Sequence, residues 1–302
     1  MSIGMLRPRG SNALILGIAG ALLWPAVTQA DDLPLHLNFT RPSVQVDPKP
    51  SLGTEGAGLD IVLTLTGFTP SQEAAFTAAE AAWEARLTGY RSTSITSVAI
   101  SGDATPIDGV GGILGSAGPT FVAFPAGYTM TTVGEMEFDS ADIGALEAAG
   151  TLGAVIEHEM AHVLGFGTLW ECNPCPNNSS SCFGTTCDGV ATDPDPNYTD
   201  FTGEFLGPAA TSFWVSEFGQ TGTPDVELGG GPGTANGHWN EVDGGAGLTG
   251  ITSSDGDMRD ELMTGWLNPG SFVSDMTLAA FFDNGYTTTP VTPVELQSFS
   301  IE

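Results

Sequence analysis

The sequence predicts an α+β fold: a twisted, mainly antiparallel sheet, a backing helix and a second helix above a loop-rich lower half. Three observations carry this. Short β-branched or alternating runs recur between residues 61 and 138. Two segments, Pro70 to about Thr88 and about Gly150 to Leu164, show helical periodicity. Between Gly219 and Gly250, 11 of 32 residues are glycine, which excludes a helix or a regular sheet there.

Residues 1–30 read as a secretory leader. Arg7 and Arg9 form a basic start, an apolar run extends from Ala13 to Trp24, and Thr28-Gln29-Ala30 places small residues for cleavage. An apolar run of about twelve residues is too short to cross ~30 Å of hydrocarbon, so a cleaved leader is expected rather than an anchor. Residues 31–59, rich in Pro and polar side chains, are an extended N-terminal segment.

An upper subdomain is expected over 60–165. Ile61-Val62-Leu63-Thr64-Leu65-Thr66 is a strand ended by Gly67. Thr69-Pro70-Ser71-Gln72 then supplies an N-cap, a proline at the first helical position and a Gln placed to close a capping box. Phe76, Ala79, Trp83 and Leu87 share one face of the helix that follows, with Gly89 as its stop. Further strands are expected at 94–101, 120–124 and 128–138. A lower subdomain over 166–290 would end in a short helix near Met276–Asn284, before a tail, 291–302, that lacks an apolar anchor.

Composition narrows function. Hydrophobic residues at 41% and charged residues at 14% exclude a highly charged disordered chain and a multi-pass membrane protein. Seven Lys+Arg against 36 Asp+Glu give −29, which argues against nucleic acid as a partner and against a basic patch for anionic lipid. An exported, unanchored chain is expected, secreted or periplasmic. Its four cysteines, Cys172, Cys175, Cys182 and Cys187, fall in one Pro/Asn/Ser-rich loop and read as two disulfides. Three pairings are open, and zinc binding by the cluster is the weaker reading.

The second helix holds His158-Glu159-Met160-Ala161-His162. Positions four apart leave the same face one turn along, so both imidazoles can reach one ion, with Glu159 beside them as a base that is not a ligand. A helix that merely happens to carry two histidines fits poorly, because Leu152, Val155, Ile156, Val163 and Leu164 make it largely buried and buried imidazoles need partners. Catalytic zinc normally takes three protein ligands. Gly165 stops the helix and turns the chain back. The compact spacing would put a third His at 168, where Thr168 stands. Of the remaining histidines, His36 lies beside the leader cleavage point, so His238 is the expected third ligand, delivered by the glycine-rich excursion. Glu171, Glu204, Glu217 and Glu241 are the rivals.

The run from His158 to Trp170 (HEMAHVLGFGTLW), a long insertion, Gly237-His238-Trp239-Asn240-Glu241 and Glu261-Leu262-Met263-Thr264-Gly265 resemble the leishmanolysin family of metzincin zinc peptidases, in a bacterial form. The resemblance spans about residues 60–286. It implies a metzincin-like two-subdomain fold with a cleft between the halves, and makes Met263 the residue of the turn beneath the zinc. No cysteine precedes Cys172, so latency by a cysteine switch is not expected.

The expected activity is a zinc-dependent endopeptidase acting on protein or peptide, in which the ion activates water and Glu159 takes its proton and passes it to the leaving amine. The rivals are a secreted binding or adhesion protein with a structural metal, and a peptidase whose third ligand is a glutamate. Calcium is a weaker expectation, for the acidic groups Glu135, Glu137, Asp139 and Asp142; Asp193, Asp195 and Asp200; and Asp255, Asp257 and Asp260.

Overall fold

The computed structural model describes residues 33–34, 44–47, 58–91, 95–124, 127–173, 198–199, 202–231 and 233–289. The expected leader, the C-terminal tail from 291, and Cys175, Cys182, Cys187, Asp193, Asp195 and Asp200 lie outside the described residues.

The chain is α+β. Strands β1 (Leu33–Pro34) and β2 (Gln45–Val46) come from the N-terminal segment. They precede β3 (Ile61–Thr66), α1 (Pro70–Arg86), β4 (Leu87–Tyr90), β5 (Val98–Thr105), β6 (Gly115–Ala123) and β7 (Met130–Asp139). Then follow α2 (Ile143–Ala149), α3 (Leu152–Val163), α4 (Pro208–Ser216), β8 (Trp266–Leu267), α5 (Asp275–Asp283) and β9 (Tyr286–Thr288).

The main sheet has the order β2-β6-β7-β5-β3 and is mixed. The expectation of a mainly antiparallel sheet is corrected: β3–β5, β5–β7 and β2–β6 are parallel, and only β6–β7 is antiparallel. The cause lies in the connections. Between β3 and β5 the chain returns through α1, and a crossover of that length delivers the next strand parallel. β6 leaves β5 through a glycine-rich loop, and β7 settles between them. Asp139 at the end of β7 accepts the amides of Asp108 and Gly109, and Asp142 accepts that of Gly111, which fixes this loop.

α1 begins as expected. Gln72 N donates to the Thr69 hydroxyl and Thr69 N donates to Gln72 Oε1, a closed capping box. Gly89, expected as the helix stop, lies instead inside β4, at a register shift against β9. The helix ends two residues before Thr88 because pairing with β9 draws the chain into an extended path from Leu87. β5 starts four residues later than expected, in register with β3 from Ile61↔Val98, and runs on through Asp103 and Thr105 because both its edges are paired.

Two helices carried no clear local signal. Gly150, read as part of the second helix, closes α2 in a left-handed conformation (φ 76°). α4 has no side-chain cap of its own. The amides of Ala209 and Ala210 are instead accepted by Asp283 at the end of α5.

Apolar packing continues across the expected boundary at 165/166. One apolar core runs from Leu59 to Tyr286. β9 pairs with β4, and the Trp83 ring of α1 lies 5.0 Å from Phe281 of α5. α1 also holds α3 directly, through Trp83 Nε1 donating to the Glu157 carbonyl and an Arg86–Glu157 ion pair. Behind α3, Phe166, Trp170, Phe205 and Trp239 form an aromatic cluster with ring centres 4.7–5.6 Å apart. Rings of this size each bury roughly 150–250 Å², enough to dominate the packing of a glycine-rich region.

Candidate metal centre

α3 presents His158 and His162 from one face, both buried. Its end is a Schellman motif: Phe166 N donates to the Ala161 carbonyl and Gly165 N to that of His162. Gly165, at φ 112°, makes this reversal, as expected. The turn returns the Phe166 carbonyl to His162, whose Nδ1 lies 2.9 Å from it.

His238 arrives from the glycine-rich excursion and is fully buried beside the other two. The three Nε2 atoms stand 2.9 Å (His158–His162), 3.1 Å (His158–His238) and 3.1 Å (His162–His238) apart. Two nitrogens each about 2.0–2.1 Å from one ion, at angles between right and tetrahedral, are separated by roughly 2.8–3.4 Å, so the spacing fits a shared ion.

The tautomers sharpen this. Each Nδ1 faces a backbone carbonyl: Leu262 for His158 (2.6 Å), Phe166 for His162 (2.9 Å) and Thr234 for His238 (2.8 Å). A carbonyl oxygen only accepts, so every Nδ1 carries the proton and every neutral ring turns a lone pair inward from Nε2. Three lone pairs about 3 Å apart repel unless a cation lies among them. Burial holds the rings neutral, pushing His158 down to about 3, His238 down to about 4 and His162 well below its ordinary value. A metal ion therefore fits this group, which is the only set of three His, Cys, Asp or Glu side chains so placed among the described residues.

Glu159 is buried, and neither carboxylate oxygen has a hydrogen-bond partner among the described residues. Burial raises its pKa well above the usual carboxylate range, and a neighbouring cation would act against that shift by favouring the charged form. A Cβ on Gly115, the first residue of β6, would fall 3.5 Å from Glu159 Oε1, so the bare backbone there leaves room beside the carboxylate.

The glutamate rivals do not join the group. Glu217 caps α5 instead, accepting the amides of Asp275 and Met276. The acidic groups read as calcium candidates do not converge either, among the described residues. Asp139 is taken up by the amides of Asp108, Gly109 and Ala141. Asp257 accepts the amides of Thr249, Gly250 and Arg259. Cys172 is buried and disulfide-bonded. Met263 is buried in a turn whose Leu262 carbonyl meets His158 and whose Met263 carbonyl accepts the Trp239 amide.

Sequence reasoning missed Glu261. It is buried, and its carboxylate accepts from Met263 N, Ser274 N, Ser274 Oγ and Thr277 Oγ1. A glutamate beside a Met turn gives no local sign of partners thirteen and sixteen residues away.

No protein-family model and no curated protein matches the chain. Among the described residues no helix is long and apolar enough to cross a membrane.

Proposed function

We propose that the protein is an exported zinc-dependent endopeptidase of the leishmanolysin-like metzincin type, acting on protein or peptide substrates. The observation that carries this is the inward set of three Nε2 lone pairs with every Nδ1 committed to a carbonyl. Neutral imidazole is a ligand for zinc, and three histidines are a ligand set of catalytic rather than closed structural sites. Bound there, Zn²⁺ would supply Lewis acidity, lowering the pKa of a water and polarising a carbonyl.

The chain's own part is to hold and move a proton. Glu159 follows His158 on α3 and has no competing hydrogen bond among the described residues, so its carboxylate is available to accept a proton from the attacking water. The same oxygen returns that proton to the leaving amine nitrogen, which completes peptide-bond hydrolysis without net change at the residue. Burial excludes bulk water from the carboxylate and steepens its response to nearby charge. The turn at 261–264 meets His158 through the Leu262 carbonyl and the segment of His238 through the Met263 carbonyl; the resemblance would make Met263 the residue beneath the zinc.

The test is metal content of the purified mature chain, with hydrolysis of a generic protein substrate before and after chelation. One equivalent of zinc with activity that a chelator abolishes and zinc restores is the expected result. Stoichiometric zinc without hydrolysis would favour a structural metal in a binding protein.

A further inference from the structure

We infer that Glu261, acting through Thr277, is a positioning residue for the metal centre: it sets where the third ligand stands relative to the first. The inference rests on the metal reading above and goes beyond it, because Glu261 is not one of the three side chains that would hold the ion.

The chain of contacts is continuous. Trp239 Nε1 donates to Thr277 Oγ1 at 2.8 Å, and Thr277 Oγ1 donates onward to Glu261 Oε1 at 2.5 Å. Trp239 follows His238 directly, and its amide donates to the Met263 carbonyl at 3.0 Å. Glu261 Oε2 accepts the Met263 amide at 2.6 Å, closing the turn whose Leu262 carbonyl accepts a hydrogen bond from His158 Nδ1. One buried carboxylate thus ties the segment of His238 to the acceptor that orients His158. These histidines are 80 residues apart and share no secondary structure.

The chemistry explains why a carboxylate is used. Four donors converge on its two oxygens: two backbone amides and two hydroxyls. An amide side chain would turn an N–H toward one of them and leave a buried donor facing a donor. Ser274 serves twice, since its hydroxyl donates to Glu261 and accepts the Thr277 amide as the cap of α5. The network therefore fixes the start of α5, the Met263 turn and Trp239 as one unit. Partners behind metal ligands of this kind typically change metal affinity ~10–100-fold when removed.

The experiment measures Zn²⁺ affinity by competition with a chromophoric chelator at 25 °C on the purified mature chain, its Thr277→Val and Thr277→Ser variants, and Glu261→Gln. The visible spectrum of each Co²⁺-loaded form is recorded as well. Thr277→Val keeps shape but cuts the path from Trp239 to Glu261, and is expected to weaken Zn²⁺ about 10–100-fold and shift the Co²⁺ bands. Thr277→Ser keeps the hydroxyl and is expected to restore both. Glu261→Gln should be at least as weak as Thr277→Val; if it fails to fold, the Thr277 pair still decides. A Thr277→Val protein with the parent's Zn²⁺ affinity and Co²⁺ spectrum, and only a lower melting temperature, overturns the inference. A parent chain that binds no Zn²⁺ overturns it together with the metal reading. A parent that binds Zn²⁺ but hydrolyses nothing overturns the peptidase reading alone.

Discussion

Gly167 and Gly237 meet backbone to backbone: a Cβ on Gly167 would fall 2.3 Å from the Gly237 carbonyl oxygen and 2.7 Å from its Cα. Gly237 precedes the third histidine, and Gly167 lies in the turn that leaves the helix of the first two. The long excursion is therefore pressed against the end of α3 at this point. Gly167→Ala should destabilise the fold by about 1–3 kcal/mol and weaken Zn²⁺ binding, because neither backbone can yield without moving His238. Gly167 also sits at φ 70°, which alone penalises alanine. Gly219→Ala is the control, since Gly219 has φ 67° and nothing within 4 Å of its Cβ position. Urea midpoints should fall for both variants, and zinc competition should change only for Gly167→Ala. Equal zinc affinity in the two would show that the contact does not place the ligand.

Replacing Glu159 by Gln separates binding from proton transfer. The amide keeps the volume of a buried side chain that makes no hydrogen bond among the described residues, so fold and metal should survive. Hydrolysis should drop by roughly 10²–10⁴-fold, the usual contribution of a positioned general base. His162→Ala should lose metal and activity together, because it removes one corner of the 2.9–3.1 Å triangle. Metal analysis and a steady-state protein-hydrolysis assay on the same samples check both outcomes. Near-parent turnover in Glu159→Gln would remove the residue from its role.

The site was more legible in the sequence than the sheet, and the reason is where the information sits. His158, Glu159, His162 and Gly165 declare themselves within eight residues, since helical spacing and a terminal glycine are local. His238 was reached because so few histidines were left to choose from. Strand order is a property of distant pairs. The alternation in β6 and β7 signals strands but does not say that β7 inserts between β5 and β6. α4 hides for a similar reason, because the group that satisfies its first amides is Asp283, more than seventy residues away. Glu261 and Thr277 look ordinary one at a time, and only the folded chain joins them to Trp239.

Removing the metal should cost stability as well as activity. The ion would join α3 to the segment of His238, and without it three Nε2 lone pairs remain about 3 Å apart in a buried space. Free zinc at about 1,000 times its Kd would stabilise the fold by roughly 4 kcal/mol. Calorimetry with and without a strong chelator should show a clear fall in melting temperature, reversed by added zinc. A chelated protein that melts with the untreated one would argue that the histidines hold no ion.

Asp283 offers a pH test away from the metal centre. Its two oxygens accept the amides of Ala209 and Ala210, each at 3.0 Å, at the start of α4. Burial pushes its carboxyl up to about 7, against the pull of those amides and of Arg91. In the unfolded chain the group titrates near ~3.9. Between these values the folded protein holds a proton that the unfolded chain has released. The stability that this proton confers is thus largest near pH 4 and is lost as pH rises toward 7. Asp283→Asn cannot titrate, so the parent's margin over this variant should shrink across that range. The neutral histidines act in the opposite sense, because the unfolded chain gains protons below about 6.5 that the folded one refuses. Comparing the two proteins at each pH cancels that contribution. Urea midpoints of the metal-free forms, taken at half-unit steps from pH 4.5 to 7.5, should therefore converge upward in pH. Curves that run parallel would show that Asp283 is ionised throughout, and that the two amides and Arg91 outweigh its burial.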